Sequence, residues 1–241
     1  MSRQLVAMLL AAGFLLGGCA TVSDTIDSIN PFASAGPKMA PLGPLTATAD
    51  VRTAWSASVG KSGDYTFTPA VVGTVAYVAS RSGTVSKLED GKLVWKIDAG
   101  QPLSAGVGAN GRLLVVGTSK GEVLAFSSEN GKALWQAKVS SEVLAAPVVS
   151  DDGVAVKSGD NRIHLLDAGD GGRKWVYQRS TPSLSVRSAG SPVFADRYIF
   201  VGYPGGKLVA LAMDNGAPVW EGTVALPTGA IDLERAEDLV A

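Results

Sequence analysis

An all-β fold, a β-propeller of four-stranded antiparallel blades, is predicted for this 241-residue sequence by three observations. Tryptophans recur at a fixed period, glycines stand at fixed offsets before them, and short apolar runs fill the intervals. Trp55, Trp95, Trp135 and Trp175 are each forty residues apart, and Trp220 follows after forty-five. Gly91, Gly131, Gly171 and Gly216 each precede a tryptophan by four residues. Fourteen residues before come Gly121, Asn161 and Gly206, all tolerant of positive φ, with Gly83 two residues closer in the first repeat. Pro69, Pro147 and Pro192 stand 26, 28 and 28 residues upstream of their tryptophans, and Val107 takes that place in the second repeat.

The apolar runs predict four strands per repeat. In the first they are Ala70–Val72, Val75–Ala79, Val85–Leu88 and Leu93–Ile97. Later repeats match, as in Leu113–Val116 with Val123–Phe126 and Tyr198–Val201 with Leu208–Leu211. Four strands in about forty residues is the size of one propeller blade. Blades are covered on both faces, so their strands read as unbroken apolar runs, and one indole per repeat can fill the seam between neighbours. Residues 51–59, around Trp55, read as a lone outer strand. The repeats give about four blades, an open arc of an eight-bladed ring, and the sequence reads as the N-terminal part of a longer protein lacking its C-terminal blades.

Composition narrows the functions. Charged residues are 18% of the chain and the formal charge is −1, which gives no electrostatic reason to bind nucleic acid. One Cys and one His cannot assemble a Cys/His zinc site or an internal disulfide. No metal and no cofactor is expected.

The N-terminus reads as an export signal. Arg3 supplies a positive start, and Leu5 to Leu16 form an apolar stretch shorter than the about 20 residues a spanning helix needs. Leu16-Gly17-Gly18-Cys19 resembles the lipobox of bacterial lipoproteins. That resemblance implies a signal peptide over residues 1–18, lipid attachment at Cys19 and, with Ala20 following and not Asp, the outer membrane. Several acyl chains anchor firmly where one is marginal. Residues 19–50, carrying Pro31, Pro37, Pro41 and Pro44, read as a lipidated tether, leaving 51–241 for the partial propeller.

Three motifs do not carry the chemistry they suggest. Gly106 to Gly111 fits G-x-G-x-x-G, but a strand, Leu113–Val116, follows where a dinucleotide site needs a helix. Gly60-Lys61-Ser62 resembles the end of a P-loop whose first glycine is replaced by Trp55. His164 has no marked nucleophile or orienting acid, so no catalytic residue is assigned. The stretch Ala125 to Trp135 resembles the tryptophan-docking repeat of quinoprotein dehydrogenases, which implies the same blade type. Those enzymes also need calcium ligands and a stacking tryptophan, for which the sequence shows no cluster.

The fourth repeat is five residues longer, and its markers place the excess between Trp175 and Pro192, in the connection Ser180 to Gly190. Leu184 and Val186 are apolar residues in a loop, where a partner is one explanation and folding back onto the blade is the other. Leu184-Ser185-Val186-Arg187 and Asp232-Leu233-Glu234-Arg235-Ala236-Glu237-Asp238 resemble two loops of the BamB family. These are propeller lipoproteins of the outer-membrane β-barrel assembly machinery. The resemblance implies a non-enzymatic scaffold, lipid-anchored at the periplasmic face of the outer membrane. It would bind a POTRA domain of BamA through Leu184, Val186, Arg187 and Asp238, beside other subunits of the machinery, and serve nascent outer-membrane proteins. Val186 departs from the family's Leu. With antiparallel strands, residues 180–190 and 226–240 emerge as successive connections on one face. The alternatives are a fragment of a quinoprotein-type dehydrogenase and a generic periplasmic binding propeller.

Overall fold

The computed structural model describes residues 51–179 and 190–226. The chain divides into a first unit, residues 1–52, and a second, residues 53–241, which carries every sheet described. The signal, lipidation and tether expectations, over residues 1–50, lie outside the described residues.

Sixteen strands form four antiparallel sheets in strict chain order. Blade 1 comprises β1 (Ala70–Val72), β2 (Val75–Ala79), β3 (Thr84–Glu89) and β4 (Lys92–Asp98). Blade 2 comprises β5 (Gly108–Ala109), β6 (Leu113–Gly117), β7 (Glu122–Ser127) and β8 (Ala133–Lys138). Blade 3 follows with β9 (Val148–Val149), β10 (Val154–Lys157), β11 (Arg162–Leu166) and β12 (Arg173–Gln178). Blade 4 holds β13 (Val193–Ala195), β14 (Tyr198–Tyr203), β15 (Lys207–Ala212) and β16 (Pro218–Thr223). The predicted β-propeller blades are thus present, with Trp95, Trp135, Trp175 and Trp220 each on the last strand of its blade.

The period of two explains why the runs are unbroken. Leu114 and Val116 of β6 pack with Tyr77 and Val85 of blade 1, while Leu113 and Val115 pack with Val154 and Val156 of blade 3. Ala155 faces the other way, joining Ile199, Val201, Tyr203 and Val209 of blade 4. Successive side chains therefore enter different seams, and both sets must be apolar. Each fully buried Leu contributes about 1.5–3 kcal/mol.

Indole docking ties neighbouring blades together. Trp95 Nε1 donates to Ser128 O at 3.3 Å, Trp135 to Ala168 O at 3.0 Å and Trp175 to Met213 O at 2.9 Å. The ring lies over the next blade's docking glycine. A Cβ on Gly171, at φ +74°, would stand 2.5 Å from the Trp135 ring, and one on Gly216 2.6 Å from Trp175. Glycine is required twice over, by backbone sign and by contact. The third bond spans 38 residues against 33 for the first two, so the five extra residues leave the docking intact.

The irregular markers have local causes. Blade 1 is two residues shorter because Asp90 (φ 48°) and Gly91 (φ 77°) close β3–β4 as a two-residue turn with both φ positive. The marker prolines immediately precede inner strands β1, β9 and β13, whereas Val107 before β5 uses its N–H to donate to Thr68 O at 3.1 Å, a bond proline cannot make. In the false dinucleotide motif, a Cβ on Gly106 would collide with Thr68, and one on Gly108 with the Pro147 carbonyl. Those glycines admit neighbouring backbones, with the run ending in the β5–β6 hairpin.

One expectation fails. Residues 51–59 form no strand. The Trp55 ring still docks, since a Cβ on Gly91 would meet it at 2.7 Å. Ladder bonds need a neighbouring third strand, and none of the described strands pairs with this segment.

Candidate interaction face

Alternating strand direction sorts every link to one of two faces. The β1–β2 and β3–β4 hairpins, and their equivalents, share the first face. The β2–β3 hairpins and the connections from each outer strand to the next inner strand share the second.

The two shorter connections lie flat on that second face. Leu103 and Val143, each eight residues past its tryptophan, are both fully buried. Leu103 N donates to Arg81 O at 3.2 Å and Val143 N to Thr118 O at 3.0 Å, so each connection is sewn onto its own blade's hairpin. Ser104 Oγ then donates to Val143 O at 2.7 Å, linking one connection to the next. The same count past Trp175 reaches Ser183.

The long connection leaves blade 3 at Arg179 and returns at Gly190; its residues Leu184, Val186 and Arg187 lie outside the described residues, as do Asp238 and Cys19. The stems are described. Arg179 Nη2 donates to Glu221 Oε1 of β16 at 2.8 Å, tying the residue at which the long connection leaves blade 3 to the outer strand of blade 4, two residues before that strand ends. Val224 N donates to Gly206 O at 2.8 Å, and beyond it Val224 and Leu226 are 57% and 80% exposed. This apolar exposure just ahead of 227–241 was not among the sequence expectations, since the strand pattern ends at Thr223.

Beneath Arg179 sits a polar seam that sequence reading missed. The Arg179 guanidinium lies 5.7 Å from the Tyr203 ring centroid and Lys157 Nζ 5.5 Å. Lys157 Nζ donates to Gly202 O at 2.8 Å, and burial lowers its ammonium from 10.5 to about 8. Burial raises the Tyr203 hydroxyl above its ordinary value, the neighbouring Tyr177 adding to this. Lysine at the end of an apolar strand was the available signal.

The neighbouring seam holds His164. Its Nε2 lies 3.1 Å from Ser140 Oγ and 3.2 Å from Ser158 Oγ. Ser158 also hydrogen-bonds Asp160, which Arg162 Nη1 reaches at 2.6 Å. A nucleophilic triad needs the acid on the other ring nitrogen. Here the acid bonds the serine, Nδ1 is buried without a hydrogen-bond partner among the described residues, and His164 is 3% exposed. Burial lowers the imidazole to about 4 against the opposing charge of Asp160. Burial pushes the Asp160 carboxyl up, but bonds from Ser158 and Ser140 and the charge of Arg162 outweigh it and hold it below the usual range. The cluster joins blades 2 and 3 and offers a substrate no approach.

The first face carries an open recess of about 840 Å³ between blades 3 and 4, lined in part by Leu165, Lys174, Arg197, Tyr198 and Met213. Lys174 is already engaged by Asp167 at 3.1 Å and the Asp152 carbonyl at 2.6 Å. Among the described residues no group of three or more His, Cys, Asp or Glu is placed to hold a metal.

Blades docked indole to glycine, with each outer strand ending on one face, define a tryptophan-docked β-propeller of the quinoprotein-like type. A family model described as "Outer membrane protein assembly factor BamB" matches residues 81–241. Assembly factors of that name from Bordetella pertussis and Nitrosomonas eutropha are 41% and 38% identical over 236 and 246 residues. The alignments cover 97% and 99% of this chain, and 59% and 60% of those proteins. The crystal structure of BamB from Moraxella catarrhalis is 31% identical with a TM-score of 0.65, over 71% of this chain and 53% of that one. A europium-containing methanol dehydrogenase, 18% identical with a TM-score of 0.54 over 70% of this chain and 43% of its own, shares the fold alone. The chain belongs to the BamB family of outer membrane protein assembly factors, and spans about three-fifths of the length of the curated relatives it matches.

Proposed function

We propose that this chain is a non-enzymatic scaffold subunit of the outer-membrane β-barrel assembly machinery. Cys19 carries its lipid anchor, after removal of residues 1–18, and holds it at the periplasmic face of the outer membrane. Residues 19–50 form the tether and the propeller begins at about residue 51. Its partner is a POTRA domain of BamA, met by Leu184, Val186 and Arg187 of the long connection and by Asp238 of the next. Other subunits and nascent outer-membrane proteins complete the set of partners.

The Arg179–Glu221 bond carries the reading, because it ties the start of the long connection to the outer strand from which the next one leaves. Exposed Val224 and Leu226 add apolar surface beside the second start. Few apolar side chains beside a charge suit a moderate, transient contact, of the kind that buries less than about 1,200 Å². The relatives' names favour this reading over a quinoprotein dehydrogenase. Leu184→Asp and Arg187→Glu are expected to abolish co-purification with BamA. Recovery equal to that of the unaltered protein would remove the assigned interface.

A further inference from the structure

Position by position, the seam between blades 3 and 4 departs from the other two. Four residues past each tryptophan stand Ala99 and Val139 at the earlier seams, and Arg179 at the third. One residue past each tryptophan stand Lys96, Gln136 and Val176, and then Glu221 on β16. The position three residues before the hairpin glycine or asparagine, Ser80 in blade 1, Thr118 in blade 2 and Ser158 in blade 3, is Tyr203 in blade 4. An Arg, a Glu and a Tyr thus replace ordinary blade residues only at the seam where the long connection begins.

Stability alone does not account for the change. Tyr203 is 1% exposed, and its hydroxyl and Arg179 Nη1 are buried without hydrogen-bond partners among the described residues. Each unmet donor is a cost to stability, and an apolar pair of the same shape generally serves a seam as well. What the trio supplies is direction. Nη2 of the guanidinium is fixed on Glu221 Oε1 at 2.8 Å, and its Cζ lies over the Tyr203 ring, 5.7 Å from the centroid. That ring is braced in turn by Tyr177, edge-on at 6.4 Å. A planar fork so held fixes two strand ends more rigidly than a point charge would.

We infer that Arg179, acting with Glu221 and Tyr203, is a positioning residue that sets the spacing of the two connections so that one partner meets both. This rests on the interface proposed above. The test is the affinity of the intact protein for the POTRA-domain partner, titrated for Arg179→Glu, Glu221→Arg and the double exchange, with Leu184→Asp as control. Each single reversal is expected to weaken binding about tenfold, and the exchange to restore it to within about threefold, since reversing both charges rebuilds the bond. A merely structural role would lower the thermal midpoint without such rescue. Should the reversals fail to fold, Glu221→Gln, on a side chain 43% exposed, reads the same contact at about threefold. Singles within twofold of the unaltered protein, while Leu184→Asp abolishes binding, would overturn the clamp and leave the interface standing. Intact binding by Leu184→Asp would instead overturn the interface, and the clamp with it.

Discussion

The two middle blades and the two flanking ones are built from similar strands yet live in different surroundings. β6 and β10 are buried at every position, whereas β14, with the equally apolar sequence Tyr-Ile-Phe-Val-Gly-Tyr, alternates buried with half-buried residues. Trp95, Trp135 and Trp175 bond the next blade, while Trp220 is 49% exposed and meets its own Gly222. The apolar run therefore records a demand for neighbours on both sides. Among the described residues only blades 2 and 3 have them.

That contrast gives graded predictions. The largest effect is expected at the indoles. Trp135→Ala should cost about 3–5 kcal/mol in denaturant unfolding, against under about 1 for Trp220→Ala. Equal losses would erase the distinction between docked and undocked tryptophans. Next comes the middle seam's histidine. Its imidazole titrates at about 4 when folded, against 6.5 for the ordinary side chain, so between these values the unfolded chain binds more protons. The contribution is fully present above pH 6.5 and declines as pH falls, by about 3 kcal/mol at pH 4. Urea midpoints of the unaltered protein and His164→Gln, followed from pH 7 to pH 4, should diverge by that amount; parallel curves would refute the burial argument.

Glycines sharpen the comparison further. Gly171 and Gly73 both have positive φ, but only Gly171 lies under an indole, and Gly73 has nothing within 4 Å. Both changes to Ala share the left-handed penalty, so the excess loss at Gly171, about 1–3 kcal/mol, isolates docking. The smallest effect belongs to Arg112–Asp151, a 3.0 Å ion pair joining blades 2 and 3 with side chains 74% and 78% exposed. Arg112→Ala should shift stability by less than about 0.5 kcal/mol, and a larger loss would mean that the first face is tied by more than its seams.

The propeller and its seams were legible in the sequence because both follow from local rules. The forty-residue indole period marked the outer strands, and Gly four residues earlier marked each docking socket. Asn161 shows how far this reaches, since its position alone announced the positive φ of 61° it adopts. What escaped depends on residues distant in the chain. Arg179 and Glu221 are 42 positions apart, and nothing in either segment announces the other. Ser140 joins His164 only because an outer-strand exit of one blade passes the hairpin of the next. Residues 51–59 looked like a strand from pattern alone, but a ladder also requires a partner strand. The repeat markers located the long connection and its apolar Leu184 and Val186, whereas Arg187 and Asp238, and the assignment of all four as partner contacts, rested on family resemblance.

Each repeat carries its indole and its glycine at one constant offset, so every unit has a plug on one side and a matching socket on the other. Such parts are interchangeable and point the same way round. A gene encoding them can gain, lose or exchange whole units without redesigning any junction, provided the cuts fall at equivalent places. Novelty is then free to collect in the lengths of chain between units, and the third of these is where this sequence has changed.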